Sequence, residues 1–285
     1  MPGTALEHVL TRDRRVVAVS LAAICLLAWL YLAHLAAQMP GMSEMAGELT
    51  DGMMDMPASD GMSGMAGPAM RPDATALADA KVGFALLALM WAVMMVGMML
   101  PSASPTILLF SALERKRAER AIGGRTAAFV FGYLAIWSLF AVVAAAVQTL
   151  LAHAGLVSKQ MAATSTLLAG GIFVAAGLYE FTPLKNRCLT HCRSPLEWIP
   201  RHMRPGRGGA FRMGLEHGAY CVGCCWVLML LLFVGGVMNL VWVAGIAIFV
   251  LAQKLMPGGP NLARLSGAAL VLGGVILMAR PLLAE

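Results

Sequence analysis

One face of one apolar segment carries the residues best suited to chemistry. The run Glu216-His217-Gly218-Ala219-Tyr220-Cys221-Val222-Gly223-Cys224-Cys225-Trp226 leads straight into a hydrophobic stretch. At about 100° per residue in a helix, His217, Cys221, Cys224 and Cys225 fall within roughly a quarter-turn of arc. Upstream, Cys188-Leu189-Thr190-His191-Cys192 sets two thiols four residues apart around a histidine, a spacing that chelates one ion if the backbone turns helically. Thiolate, thioether and imidazole are the donors that Cu(I) prefers, and Zn(II) accepts the same thiolates and imidazoles. Two other uses of these residues stay open. Cys221-Val222-Gly223-Cys224 is a C-x-x-C pair of the kind that exchanges electrons in thiol oxidoreductases, and sulfur side chains can also simply pack in a structural or assembly subunit.

Methionine supplies the second set of candidate ligands. Met90, Met94, Met95, Met98 and Met99 lie in one apolar segment just before Pro101 and Pro105. They form two rows at i, i+4 spacing, so a row of thioethers and an ordinary packing stripe predict the same pattern. Proline at 101 and 105 would also free backbone carbonyls in this stretch, and these could assist coordination. A third set occupies 38–80, which holds Met39, Met42, Met45, Met53, Met54, Met56, Met62, Met65 and Met70 among acids, Gly, Ser and Pro, with no aromatic residue. Nothing in that composition builds a core. Methionine normally fills cores, so its density in a polar linker points to external metal capture, chiefly by Met39, Met42, Met45, Met53, Met54, Met56, Met62 and Met65. A thioether needs no deprotonation and forms no disulfide, which suits an oxidising exterior.

The elements that position these groups follow from hydropathy. The chain has 285 residues, of which 59% are hydrophobic and 13% charged, against about 25% charged in a soluble domain. Apolar stretches near the length needed to cross about 30 Å of hydrocarbon recur at 16–37, 82–109, 126–151, 165–181, 213–237, 240–255 and 262–278. The expectation is an all-α, polytopic transmembrane bundle of about seven spans in the lipid bilayer. It divides into a cytoplasmic tail and first helix (1–37), a methionine-rich disordered external loop (38–81), and a six-helix core (82–285) with a cytoplasmic Cys/His loop (182–212). Basic residues set the orientation. Arg12, Arg14 and Arg15, then the clusters at 115–125 and 185–212, then Lys254 and Arg264 fall on one side of a seven-span layout. The amino terminus is therefore expected in the cytoplasm of a bacterial cell with the chain in its inner membrane, and the net charge of +6 reads as topology, with no nucleic-acid partner. On that layout the inner thiols stay reduced, and Cys25 reads as a small buried hydrophobe. Glu180 and Glu216 sit at span ends where either could balance a cation.

Three strings carry a family resemblance: Met98-Met99-Leu100-Pro101-Ser102-x-x-Pro105; Tyr179-x-x-Thr182-Pro183-Leu184-Lys185-x-x-Cys188-Leu189-x-x-Cys192-Arg193-Ser194-Pro195; and Gly218-x-Tyr220-Cys221-x-Gly223-Cys224-Cys225-Trp226-x-Leu228-Met229. They resemble the bacterial predicted metal-binding integral membrane proteins, a domain of unknown function, over roughly 82–278. The resemblance implies a helical membrane protein that binds metal and acts in copper handling. Glu180 departs from it, standing where relatives are expected to carry a neutral amide, and the methionine loop is an elaboration on the common core.

Capture by outer thioethers and retention by inner thiolates would give an affinity for Cu(I) that rises inward. Such a gradient suits uptake, tolerance, or delivery to a periplasmic copper chaperone or a membrane cuproenzyme. No Walker or aspartyl-phosphate motif is visible, which leaves ATP-driven pumping without support. If the thioethers of the second apolar segment are ligands, replacing Met90, Met94, Met95, Met98 and Met99 with leucine lowers bound Cu(I) while thermal melting stays near wild type. Metal analysis and melting of the purified protein check this, and unchanged copper content would leave these methionines as packing.

Overall fold

A computed structural model of the chain describes residues 5–37, 74–116, 122–156 and 165–283. Within them the helices are α1 (Ala5–Ala37), α2 (Ala74–Lys116), α3 (Ile122–His153), α4 (Thr166–Glu180), α5 (Pro183–Arg193), α6 (Pro195–His202), α7 (Gly206–Leu230), α8 (Leu232–Gly235), α9 (Leu240–Leu255) and α10 (Gly259–Leu283). No strand occurs among the described residues. All eight methionines assigned to external capture, with Met70, lie outside the described residues.

Five helical stretches are long and apolar enough to cross a membrane: Arg15–Ala37, Val82–Arg115, Gly124–His153, Gly206–Gly235 and Gly259–Ala279. The bent pair α4 and α5, with 65° between them, makes a sixth if taken as one span. The remaining expected span, α9, has 16 residues and at 1.5 Å per residue reaches only about 24 Å. The stretch 182–212, expected as a loop, is largely helical. Thr182 caps α5 by accepting from the Lys185 backbone N–H at 3.2 Å, Pro183 follows in the first turn, and Ser194 closes α5 and opens α6.

The radial distribution of side chains matches a hydrocarbon solvent. Leu26, Leu27, Leu30, Phe131, Leu139, Val241 and Leu265 are exposed on the outer faces, while Glu114, Arg125, Glu180, Lys185, Gln253 and Lys254 are buried. In lipid an outward leucine costs nothing, whereas a charge must turn inward to a partner.

Close helix crossings rest on glycine. Helices α3 and α7 pack extensively, and a Cβ added at Gly214 would collide with the Phe129 carbonyl, as one at Gly132 would with that of Phe211. Helices α4 and α10 make the second such crossing, where a Cβ on Gly177 would stand 2.6 Å from Gly267 O. Helix α2 runs unbroken through Pro101 and Pro105. The carbonyls these prolines free by lacking an N–H, Gly97 O and Pro101 O, accept instead from the Trp29 indole at 3.3 Å and the Ser104 hydroxyl at 2.8 Å. The expectation that freed carbonyls here help hold metal is thus replaced by side-chain satisfaction.

Gly214→Ala is expected to cost at least the roughly 1–3 kcal/mol of an overpacked core, because the clash is with backbone, and to lower the melting temperature in detergent by several degrees. Gly171→Ala, where an added methyl meets nothing within 4 Å, should leave melting unchanged. Equal melting of both variants would remove the close crossing as a determinant of stability.

Candidate metal centre

Helix α7 buries its chemically active face. His217 is 3% exposed and Cys221, Cys224 and Cys225 are 1% exposed each, as the sequence periodicity predicts. The backbone carbonyl of Cys221 draws two of these thiols together, accepting from Cys224 Sγ at 3.1 Å and Cys225 Sγ at 3.0 Å. Cysteines at i+3 and i+4 of a helix reach back to the same turn, so these contacts follow from spacing alone.

Two further helices bring sulfur to this face. From α5, Cys192 Sγ lies 4.0 Å from Cys224 Sγ. Cys188 is also buried, and its Sγ presses on the backbone of α7, 2.8 Å from where a Cβ of Gly223 would be. From α2, Met99 Sδ lies 4.0 Å from Cys225 Sγ. Met94, Met95 and Met98 are buried as well, but Met98 lines an apolar groove with Trp29, Pro101 and Ala247. Met99 is the methionine whose sulfur reaches the thiols. Cys25, expected to be buried, is partly exposed in a groove beside Leu100 and Ser104.

Polar groups fix the rim. Tyr133 of α3 donates its hydroxyl to Met99 O at 3.0 Å, and the same oxygen lies 3.2 Å from Cys221 Sγ. Lys254 of α9 donates from Nζ to Cys221 Sγ and to Ser102 Oγ, each at 2.9 Å, with 6% of the residue exposed. Its neighbour Gln253 closes a buried triad. Lys185 Nζ donates to Glu180 Oε1 at 2.8 Å and to Gln253 Oε1 at 2.9 Å, while Gln253 Nε2 donates to Glu180 Oε2 at 3.0 Å. Arg193 then ties α5 to the end of α9, donating to Gln253 O at 2.6 Å and Pro257 O at 3.1 Å.

The histidines stand to one side. His191 stacks on Tyr220 with ring centres 3.7 Å apart, and His217 lies among Phe129, Tyr133, Trp198 and His191 at 5.8–6.3 Å between centres. His191 Nε2 and His217 Nδ1 are buried with no hydrogen-bond partner, so each keeps a ring nitrogen for a ligand. Glu216 turns outward to Arg204 and Arg212; of the two glutamates considered for charge balance, Glu180 is the buried one.

The donor set suits a soft ion: Cys192 approaches Cys224, Met99 approaches Cys225, and Cys221 lies on the same face of α7. Among the described residues, however, no group of three or more His, Cys, Asp or Glu side chains stands ready to hold an ion. Cys224 and Cys225 donate their thiols to a carbonyl, so coordination requires them to give up that proton and that bond. Sequence reasoning missed Lys254, Tyr133, Ser102, Lys185 and Gln253. Gln253-Lys254 in an otherwise apolar helix was the available signal, because an ionisable residue inside a span marks function or a partner.

A family model described as PpoB2, copper chaperone, matches residues 88–277. No curated protein and no solved structure matches the chain. The matched region holds every cysteine except Cys25 and every polar group of the rim, and leaves out α1 and the methionine-rich stretch 38–80.

Lys185→Met leaves Glu180 as a buried charge without its counter-ion, a loss of about 3–5 kcal/mol. Melting in detergent should fall by roughly 10 °C, and adding Glu180→Gln should restore much of it. A single variant that melts like wild type would show the triad to be dispensable.

Proposed function

The chain belongs to the PpoB2 copper chaperone family, and from that premise we propose that it binds Cu(I) in a sulfur pocket within a membrane-embedded bundle and passes it on. One observation carries this reading: sulfur from two other helices reaches the thiols of α7, Cys192 Sγ lying 4.0 Å from Cys224 Sγ and Met99 Sδ 4.0 Å from Cys225 Sγ. Copper is cargo here. Cys221, Cys224 and Cys225 hold it, with Cys192 and Met99 completing the shell and Cys188, His191, His217, Met94, Met95 and Met98 serving entry and exit. Neighbouring sulfurs suit transfer by ligand exchange better than permanent storage, since a new Cu–S bond can form before an old one breaks. The thioether of Met99 favours Cu(I) over Zn(II), because Zn(II) is bound by thiolate, imidazole and carboxylate while soft Cu(I) also takes thioethers.

The bundle sits in a bacterial inner membrane in this reading, with its amino terminus in the cytoplasm and the loop methionines outside. Met39, Met42, Met45, Met53, Met54, Met56, Met62 and Met65 capture the ion there, and a periplasmic chaperone or a membrane cuproenzyme is the partner. A second reading, thiol oxidoreductase, uses the Cys221-Val222-Gly223-Cys224 pair, with Cys192 at 4.0 Å from Cys224 as a further thiol in reach.

Copper content of the purified protein separates the two. Wild type should retain Cu(I) against a chromophoric chelator, and the combined Cys221→Ser, Cys224→Ser and Cys225→Ser variant should lose it by a factor of at least ten while keeping its melting temperature. Equal copper in both proteins would sink the proposal. A reversible disulfide of Cys224 with Cys221 or Cys192, detected by differential alkylation in a copper-free wild type, would favour the oxidoreductase.

A further inference from the structure

We propose that Lys254 makes the sulfur pocket discriminate in favour of a monovalent soft ion, so that Lys254 is a specificity-determining residue for Cu(I) over Zn(II). The inference rests on the copper reading above and adds the means of selection. A lysine ammonium buried in an apolar bundle is costly unless it meets a counter-charge. Here it meets a sulfur: Nζ stands 2.9 Å from Cys221 Sγ, with Ser102 Oγ as its other acceptor.

The ammonium is held there from several directions. Gln253 is locked by Glu180 and Lys185, and Arg193 grips the backbone carbonyls of Gln253 and Lys254. The last turn of α9 is pinned in this way, and the Lys254 ammonium sits 2.9 Å from Cys221 Sγ, so an ion bound by that sulfur has a positive charge as a close neighbour.

Coulomb repulsion from a fixed unit charge scales with the charge of the incoming ion. Replacing Cu(I) by Zn(II) among the same ligands adds one unit of positive charge facing the ammonium, in a medium that solvates charge poorly. Whatever number of thiolates takes part, the divalent ion feels the ammonium twice as strongly. At 4 Å and an effective dielectric near 20, and after allowance for screening, the extra charge amounts to a preference on the order of a hundredfold. A purely structural lysine would affect the two ions equally.

The full-length protein in detergent, titrated at one fixed pH, tests this. Cu(I) affinity is read by competition with a chromophoric Cu(I) chelator and Zn(II) affinity with a zinc indicator, for wild type, Lys254→Leu, Lys254→Gln and Lys254→Arg. The neutral variants should lose the Cu(I)-over-Zn(II) preference by on the order of a hundredfold, with Zn(II) binding gaining most, while Lys254→Arg keeps it. Lys254→Gln retains a donor for Ser102 and serves if Lys254→Leu fails to fold. An unchanged ratio in the neutral variants overturns the inference, as does equal loss of preference in Lys254→Arg. Wild type that binds no Cu(I) would instead strike the underlying copper reading, so the two failures are told apart.

Discussion

Charge inside an apolar bundle is the constraint on which the rest of this structure depends. A lone buried ion costs several kcal/mol, and this fold buries several ionisable side chains, each with a partner from another helix. Glu180 ends α4, Lys185 opens α5, and Gln253 comes from α9. Their mutual hydrogen bonds define the 65° break between α4 and α5 as a place where backbone turns because side chains demand it. Arg125 and Glu114 pair in the same manner at 2.8 Å, and Arg125 reaches the Arg204 carbonyl beside the start of α7. Each pair is weak evidence for net stability but strong evidence for register, since sliding one helix by a turn would strand a charge.

That register is what aligns the sulfur. Cys221 is fixed by its place on α7, and α7 is seated against α3 at the glycine crossing of Gly132 and Gly214. Tyr133 lies one residue from Gly132 and reaches both Met99 O and Cys221 Sγ. The same hydroxyl thereby measures α2 and α7 against a single helix, and the close backbone approach is a condition for it to do so. Cys192 arrives through α5, whose position follows from the charge triad at one end and from Arg193 on the α9 carbonyls at the other. Packing and polar satisfaction converge on one depth of the bundle.

The sequence made the helical character, the buried face of α7, the turn joining Cys188 to Cys192, and the inward methionines of α2 legible, because each is a local periodic pattern. It was less able to say which methionine matters. All of 94–99 share one composition, and only the tertiary placement of α7 singles out Met99. Lys254 was legible as a charge but not as a partner of Cys221, since a basic residue at a helix end looks the same in sequence whether it faces water or a thiol. The proline carbonyls were misassigned for a similar reason. Sequence shows that an N–H is missing, while Trp29 and Ser104, which satisfy Gly97 O and Pro101 O, come from α1 and from α2 itself.

The span of the family match bears on how the chain is organised. It begins at residue 88, inside α2, and ends at 277, inside α10. The copper-chaperone description thus attaches to the core that holds Met99, Cys192, Cys221 and Lys254, and it owes nothing to the methionines at 39–70. Two sulfur chemistries follow along one chain. The matched core presents thiols beside a buried cation. The preceding stretch offers neutral thioethers, which bind a soft ion without competing protons. In the proposed function an ion passing between them would move from neutral to charged donors.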